Sequence, residues 1–203
     1  MKHIIIFATA MLLYTAAYSQ QQAQKNAGMF SLGTRNTLSA FNHDEAIGKG
    51  IGGQARLQLS KRINSEWYFD YITSKTNLTA RNDYHIGWSL LFYLKNNYDF
   101  TRLLQPYLIA GHCFDNTKVF EKANKQNNAS RLSMATQAGL GTHINITPKF
   151  DCSLSTQYML HFGKDIDADT NDGKVLIQKS TNTEMDGHLL FTLSVNYKLK
   201  NLW

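Results

Sequence analysis

The sequence predicts an all-β fold, an eight-stranded antiparallel up-and-down transmembrane β-barrel, and three observations carry that expectation. From Leu132 to Ile146 the chain alternates, with Leu132, Met134, Thr136, Ala138, Leu140, Thr142, Ile144 and Ile146 on one face. Ser133, Ala135, Gln137, Gly139, Gly141, His143 and Asn145 fall on the other. Side chains alternate across a strand, so this is one long strand with an apolar and a polar side. Further segments repeat the pattern and bring the count to eight, an even number that closes a small barrel without leaving an edge. Beyond the amino terminus no run is apolar enough for a membrane helix, so any spanning falls to strands.

The amino terminus reads as an export signal. Met1-Lys2-His3 is a short basic start, Ile4 to Ala17 is mainly apolar, and Ala17-Tyr18-Ser19 has the small–any–small form of a cleavage site. Residues 1–19 are therefore expected to leave as a signal peptide, with Gln20 the first mature residue. The apolar run is shorter than the ~20 residues of a span, and polar Gln20 to Gln24 follow it. Residues 20–27 form a short polar segment, and 28–203 a single barrel domain with no linker composition inside it.

The predicted strands follow in order. Met29 to Thr37 sets Phe30 and Leu32 against Arg35, and Ile51 to Ser60 sets Ile51, Ala55, Leu57 and Leu59 against Gln54, Arg56 and Gln58. Glu66 to Ser74 sets Trp67, Phe69 and Tyr71 against Tyr68 and Asp70. Asp83 to Lys95 sets Ile86, Trp88, Leu90 and Phe92 against His85, Ser89 and Tyr93. Pro106 to Phe114 is apolar on both sides, so its orientation cannot be read. The strand at 132–146 comes sixth. Phe150 to Phe162 sets Leu154, Tyr158, Leu160 and Phe162 against Asp151, Ser153, Ser155, Gln157 and His161. His188 to Leu199 sets Leu189, Phe191, Leu193, Val195 and Tyr197 against Thr192, Ser194, Asn196 and Lys198.

The connections alternate as well. Leu38 to Gly50, Asp115 to Ser130 and Gly163 to Gly187 are expected to be long polar loops, with a shorter one at Lys75 to Asn82. Lys61 to Ser65, Asn96 to Gln105 and Thr147 to Lys149 are tighter. Long loops outside and short turns inside match a membrane barrel, with Asn96 to Gln105 the poorest fit.

Alternation alone does not separate a membrane barrel from a soluble, lipocalin-like one whose apolar face turns inward. Two features favour lipid. The polar face holds mainly Gln, Ser, Asn, Gly and His, an unusual water-facing set. The apolar face gathers Trp67, Phe69, Tyr84, Tyr107, Phe150, Tyr158 and Tyr197 at strand ends, as an interfacial girdle requires. The formal charge of +6 is scattered rather than striped among aromatics, so no nucleic-acid partner is expected. Cys113 and Cys152 fall on non-adjacent strands and are expected to stay unpaired.

Several short motifs add a family resemblance. Gln105-Pro106-Tyr107-Leu108-Ile109-Ala110-Gly111 resembles an xPYxxAG strand, and Ala138-Gly139-Leu140-Gly141 running into Ile146-Thr147-Pro148-Lys149-Phe150 resembles an AGxG…xTPxF strand–turn–strand. Leu193 to Leu199 resembles the matching closing strand. Together they resemble the OmpA-like and OmpX-like outer-membrane barrels of bacteria, and the Ala-Tyr-Ser-Gln region resembles Bacteroidetes signal peptides. The chain departs from that pattern at His112 and Cys113 and by running on to Trp203. The resemblance implies the outer membrane of a Gram-negative bacterium, contact with its lipid and lipopolysaccharide, and insertion by the barrel assembly machinery. It names no external ligand, and such motifs specify barrel geometry rather than activity.

The expected interior network is Arg35, Gln54, Arg56, Gln58, Asp70, His85, Gln137, His143, Asp151, Gln157, His161 and Lys198. Buried charges in so narrow a lumen must be paired, which predicts a polar plug; a narrow gated pore is the alternative. No cofactor, metal or catalytic residue is assigned. Asp165, Asp167, Asp169, Asn171 and Asp172 suggest calcium but depart from the EF-hand, with Asp172 at the glycine position and Gln178 at the glutamate position. Barrels of this size also include lipid A-modifying enzymes, which need a base and a nucleophile in reach. No His here has Ser two residues on along its own strand, although a neighbouring strand could supply one. The resulting expectation is a non-enzymatic structural or surface-interaction protein acting through its loops, ahead of a small porin-like channel and of a lipid A-modifying enzyme.

Overall fold

Period-two alternation runs through the strands of the structure, a computed structural model that describes residues 27–41, 47–95, 102–171 and 174–203. The expected signal peptide at 1–19 lies outside these residues. The strands are β1 (Met29–Phe41), β2 (Ile47–Gln58), β3 (Ile63–Lys75), β4 (Thr79–Tyr93), β5 (Leu104–Glu121), β6 (Asn128–Asn145), β7 (Phe150–Asn171) and β8 (Lys174–Asn201). Each pairs antiparallel with the next, and β8 returns to β1 through pairs such as Leu32 with Tyr197 and Leu38 with Phe191. The barrel is closed. At its base Leu202 N donates to Gly28 O at 3.0 Å, which ties the two ends of the described chain together.

The direction of the alternation settles the choice between lipid and water. Leu132, Ile51, Ile86, Leu140 and Leu193 point outward and are more than half exposed, whereas Arg35, Asp70, His85 and Asp151 point inward and are at most 2% exposed. A soluble lipocalin-like barrel would have the reverse arrangement. An apolar exterior around a polar lumen is the pattern of a barrel that crosses a bilayer. Cys113 faces inward on β5 and Cys152 lies on β7, with β6 between them, and both are free.

The expected long loops are corrected by the structure. Most of Asp115 to Ser130 continues as paired strand, with Thr117 opposite Arg131 and Phe120 opposite Asn128. Gly163 to Gly187 becomes a projecting hairpin in which Ile166 pairs with Lys179 and Asn171 with Lys174, after a register shift at Lys164/Ile166. Val119, Ile166 and Ile177 are buried together inside these extensions. A polar hairpin in water can expose both faces, so alternation does not announce its strands. The strands flanking residues 42–46 likewise run up to Ala40 and Ile47. At the other end the β2–β3 and β6–β7 turns are tight, closed by Leu59 N on Ile63 O and Ile146 N on Phe150 O. Around Pro148, Thr147 Oγ1 accepts from the backbone of Lys149 and Phe150 at 3.2 and 2.9 Å.

Two inward glycines make room for tyrosines. Gly87 lies opposite Tyr68 and Gly141 opposite Tyr107, each ring lying over the bare backbone of its partner. A Cβ at Gly87 would sit 2.2 Å from Tyr68 Cζ. That ring cannot swing away cheaply, because its hydroxyl donates to Gln137 Oε1 at 2.6 Å and Arg35 stacks on it at 4.2 Å. Gly87→Ala is expected to cost about 1–3 kcal/mol by overpacking. Gly53→Ala, with nothing nearer than 3.7 Å, should stay within about 0.5 kcal/mol. Urea midpoints of the refolded variants check the contrast.

Candidate functional site

The inward side chains fall into four successive layers along the lumen. Nearest the tight turns, Arg56 of β2 bonds Asp151 of β7 at 2.6 Å, and Lys198 of β8 lies 3.4 Å from the other carboxylate oxygen. Asn196 Nδ2 donates to Asp151 at 3.0 Å, Gln54 Nε2 donates to Asn196 Oδ1 at 2.6 Å, and Lys198 Nζ donates to Asn145 Oδ1 at 3.0 Å. His143 lies between Arg56, at 2.8 Å, and the Tyr93 hydroxyl, at 2.7 Å. Opposed strands place these groups within reach of one another, where a low local dielectric strengthens each bond.

The second layer is built on Arg35. Its Nε lies 3.0 Å from Asp70 Oδ1, and its Nη1 lies 3.6 Å from Glu66. The Asp70 contact is an ion pair without hydrogen-bond alignment, since neither carboxylate oxygen of Asp70 has a hydrogen-bond partner. The Tyr68 hydroxyl continues through Gln137 to Ser89 Oγ at 2.6 Å.

Above that layer the lumen turns apolar. Tyr68, Ile72, Cys113, Ala135, Met159 and Leu190 pack together, each at most 4% exposed. The expected interior was polar throughout, and this layer corrects it. A polar lining the whole way up would have to satisfy every donor and acceptor within a narrow lumen, and a hydrocarbon layer removes that demand.

The fourth layer, on the hairpin side, returns to charge. Asp115 accepts from the Thr117 hydroxyl at 3.1 Å and lies 3.1 Å from His161 Nδ1; Asp83 accepts from the Thr117 hydroxyl at 2.6 Å and pairs with Arg81. His85, His161 and His188 converge beside Asp115 from β4, β7 and β8.

The structure buries each residue expected in the lumen: Arg35, Gln54, Arg56, Gln58, Asp70, His85, Gln137, His143, Asp151, Gln157, His161 and Lys198. They do not form one network. Arg56, His143, Asp151 and Lys198 meet near the turns, while His85 and His161 meet beyond the apolar layer. Of the expected girdle, Trp67, Phe69, Tyr84, Phe150 and Tyr158 are exposed, and Tyr197 packs its ring 4.8 Å from Phe150. Tyr107 is the exception. It points inward, 4% exposed, with its ring 4.5 Å from His143, because the inner wall of β5 is itself apolar at this level.

Sequence reasoning passed over Glu66, Asp83, Asp115 and His188. Asp115 and His188 stood at the edges of expected loops, where a charged residue is unremarkable.

The neighbouring-strand serine left open by the sequence exists. Ser153 Oγ lies 2.5 Å from His143 Nδ1. Asp151, however, approaches the same ring nitrogen, at 3.8 Å, and the other nitrogen is occupied by Arg56 and Tyr93. A nucleophile and an orienting carboxylate must sit on opposite nitrogens of the base, so this is not a relay. The space beside it is about 20 Å³, room for roughly one water and not for an acyl chain. Along β7, Asp167 and Asp169 are exposed on the same face of the projecting hairpin, and the side chains of Asp165, Asn171 and Asp172 lie outside the described ones.

The same fold is found in solved bacterial outer-membrane proteins. Neisserial surface protein A matches with a TM-score of 0.61 at 14% identity, covering 85% of this chain and 98% of that one. A major outer membrane protein of Thermus thermophilus matches at 0.56 and 8%, covering 84% and 99%. OprG of Pseudomonas aeruginosa matches at 0.55 and 15%, covering 85% and 96%. No family model matches the sequence, and no curated protein matches it. The likeness is therefore one of fold, that of the eight-stranded outer-membrane barrels.

Proposed function

We propose that the chain is a non-enzymatic outer-membrane barrel of the OmpA-like or OmpX-like kind, in a Gram-negative bacterium of the Bacteroidetes type. Its leader, Met1 to Ser19, is removed on export, and the barrel assembly machinery inserts it with the closing strand Leu193 to Leu199 as signal. Its role is structural or surface-interactive, exercised through the projecting hairpins. The packing of the lumen carries this reading, with an apolar layer lying above a layer of paired charges. The turns and both described chain ends lie at the opposite end from the projecting hairpins, which supports placing the hairpins outside the cell. Exposed Lys49, Lys75, Lys118 and Lys122 near that end suit the phosphates of lipopolysaccharide.

The test is single-channel recording in a planar bilayer, with folding first established by heat-shifted migration on an unboiled gel. A folded barrel is expected to be silent. Discrete, reproducible openings that change with Arg56 or Asp70 substitutions would make it a small porin instead.

A further inference from the structure

His85, His161 and His188 each offer a ring nitrogen within 4.8 Å of the others, and all three side chains are at most 1% exposed. His161 and His188 come from the adjacent strands β7 and β8, His85 from β4 across the barrel, and the three meet in the lumen. His161 Nε2 and His188 Nε2 stand 3.2 Å apart. Two nitrogens on a tetrahedral zinc ion, at about 2.0–2.1 Å each, are separated by about 3.3 Å.

The remaining nitrogens are arranged to match. His161 Nδ1 lies 3.1 Å from Asp115 Oδ2, and His188 Nδ1 lies 3.2 Å from Ser39 Oγ. A carboxylate that takes the Nδ1 proton of a histidine fixes the tautomer whose Nε2 lone pair is free for a metal. Asp115 is itself held by Thr117 at 3.1 Å and Ser133 at 3.3 Å, so the carboxylate that orients His161 is also oriented.

A metal-free reading accounts for part of this. A hydrogen-bonded chain from Asp115 through His161 and His188 to Ser39 satisfies two of the three rings. His85 is left over. It is fully buried, and neither of its ring nitrogens has a hydrogen-bond partner; its nearest charge is Asp115 Oδ1, 3.5 Å from Nε2. A buried imidazole with both nitrogens unsatisfied is costly, and such a group calls for a missing partner. A cation shared by the three rings supplies a partner for one of the two nitrogens.

We infer that His85, His161 and His188 bind one divalent first-row transition ion of the zinc class inside the barrel, with Asp115 positioning His161. The donor set is imidazole nitrogen, which suits zinc, copper, nickel and cobalt, and not the hard oxygen shell of calcium or magnesium. The Asp115 carboxylate offsets part of the ion's charge, and the apolar layer beneath shields the site from the periplasmic side. On the hairpin side a cavity of about 70 Å³ is lined by Ser74, Arg81 and Val119, and Arg81 pairs with Asp83, which shares Thr117 with Asp115.

The folded protein, purified without a histidine tag and stripped with EDTA, is titrated with Zn²⁺ and with Co²⁺. One equivalent of Zn²⁺ is expected to bind and raise the thermal unfolding midpoint, while Ca²⁺ and Mg²⁺ at the same concentration leave it unchanged. Bound Co²⁺ should show the intense visible absorption of a tetrahedral site. His85→Gln, His161→Gln and His188→Gln should each weaken Zn²⁺ binding by about tenfold or more, and Asp115→Asn by about tenfold. His112→Gln, on the lipid face, should bind as the parent does. Absence of stoichiometric Zn²⁺ binding by the folded parent, or undiminished binding by a folded His85→Gln barrel, overturns the site. If the lumen variants do not fold, the Co²⁺ spectrum of the parent decides, and a spectrum without tetrahedral bands overturns it.

Discussion

Replacing Asp151 by alanine is expected to cost the barrel about 3–5 kcal/mol of folding stability, because the change leaves cations buried without their anion. Asp151 stands between Arg56 at 2.6 Å and Lys198 at 3.4 Å and also accepts from Asn196 at 3.0 Å. Lys198 can fall back on Asn145, whereas Arg56 keeps only its hydrogen bond to His143, which supplies no anion, and the more distant carboxylate of Glu66 opposite it on β3, which Arg35 already shares. The loss measures an uncompensated charge rather than the worth of the pair. The double variant Arg56→Met with Asp151→Leu should therefore recover most of it, since apolar groups of similar volume replace a buried ion pair with little net change. Urea unfolding in lipid vesicles, followed by tryptophan fluorescence, reads both. A single variant as stable as the parent would mean that water reaches Arg56 and that this layer is not closed.

The eight strands and the inward or outward sense of most of their residues were legible in the sequence, because period two is a local property. Arg56, Asp151 and Leu193 each reveal their face from the residues two positions away. Three features were not local. Tyr107 lies on a strand whose inner side is as apolar as its outer side, with Ile109 and Cys113 turned into the lumen beside it, so no pattern marked its direction. The projecting hairpins around Ile166 and Ile177 are paired in water, where both faces tolerate polar residues, and they read as loops. The convergence of His85, His161 and His188 depends on closure and strand stagger, which bring β4 across from β7 and β8. Single strands predict each imidazole's face but not which others it meets. His188 was further obscured by its place at the edge of an expected loop. The candidate site is thus less legible than the fold that holds it, since a fold of this kind repeats one local rule and the site is a product of its closure.

The membrane reading can be tested on the exterior alone. Leu193 lies midway along the outward series of β8, between Phe191 and Val195, and opposite Leu154 of β7. Arginine there must sit in hydrocarbon near the bilayer midplane, which costs about 2–4 kcal/mol in barrels of this class and falls to about 0–1 kcal/mol near the interfaces. Leu176 lies on the same strand and is similarly exposed, 53% against 51%, but on the projecting hairpin. Leu176→Arg should change stability by no more than about 0.5 kcal/mol. Equal exposure makes the comparison sharp. In water both substitutions place arginine on a surface and should be equally harmless, so only a bilayer around Leu193 separates them. Folding titrations into lipid vesicles measure both. Two small and equal effects would place the whole exterior in water and remove the barrel from the membrane.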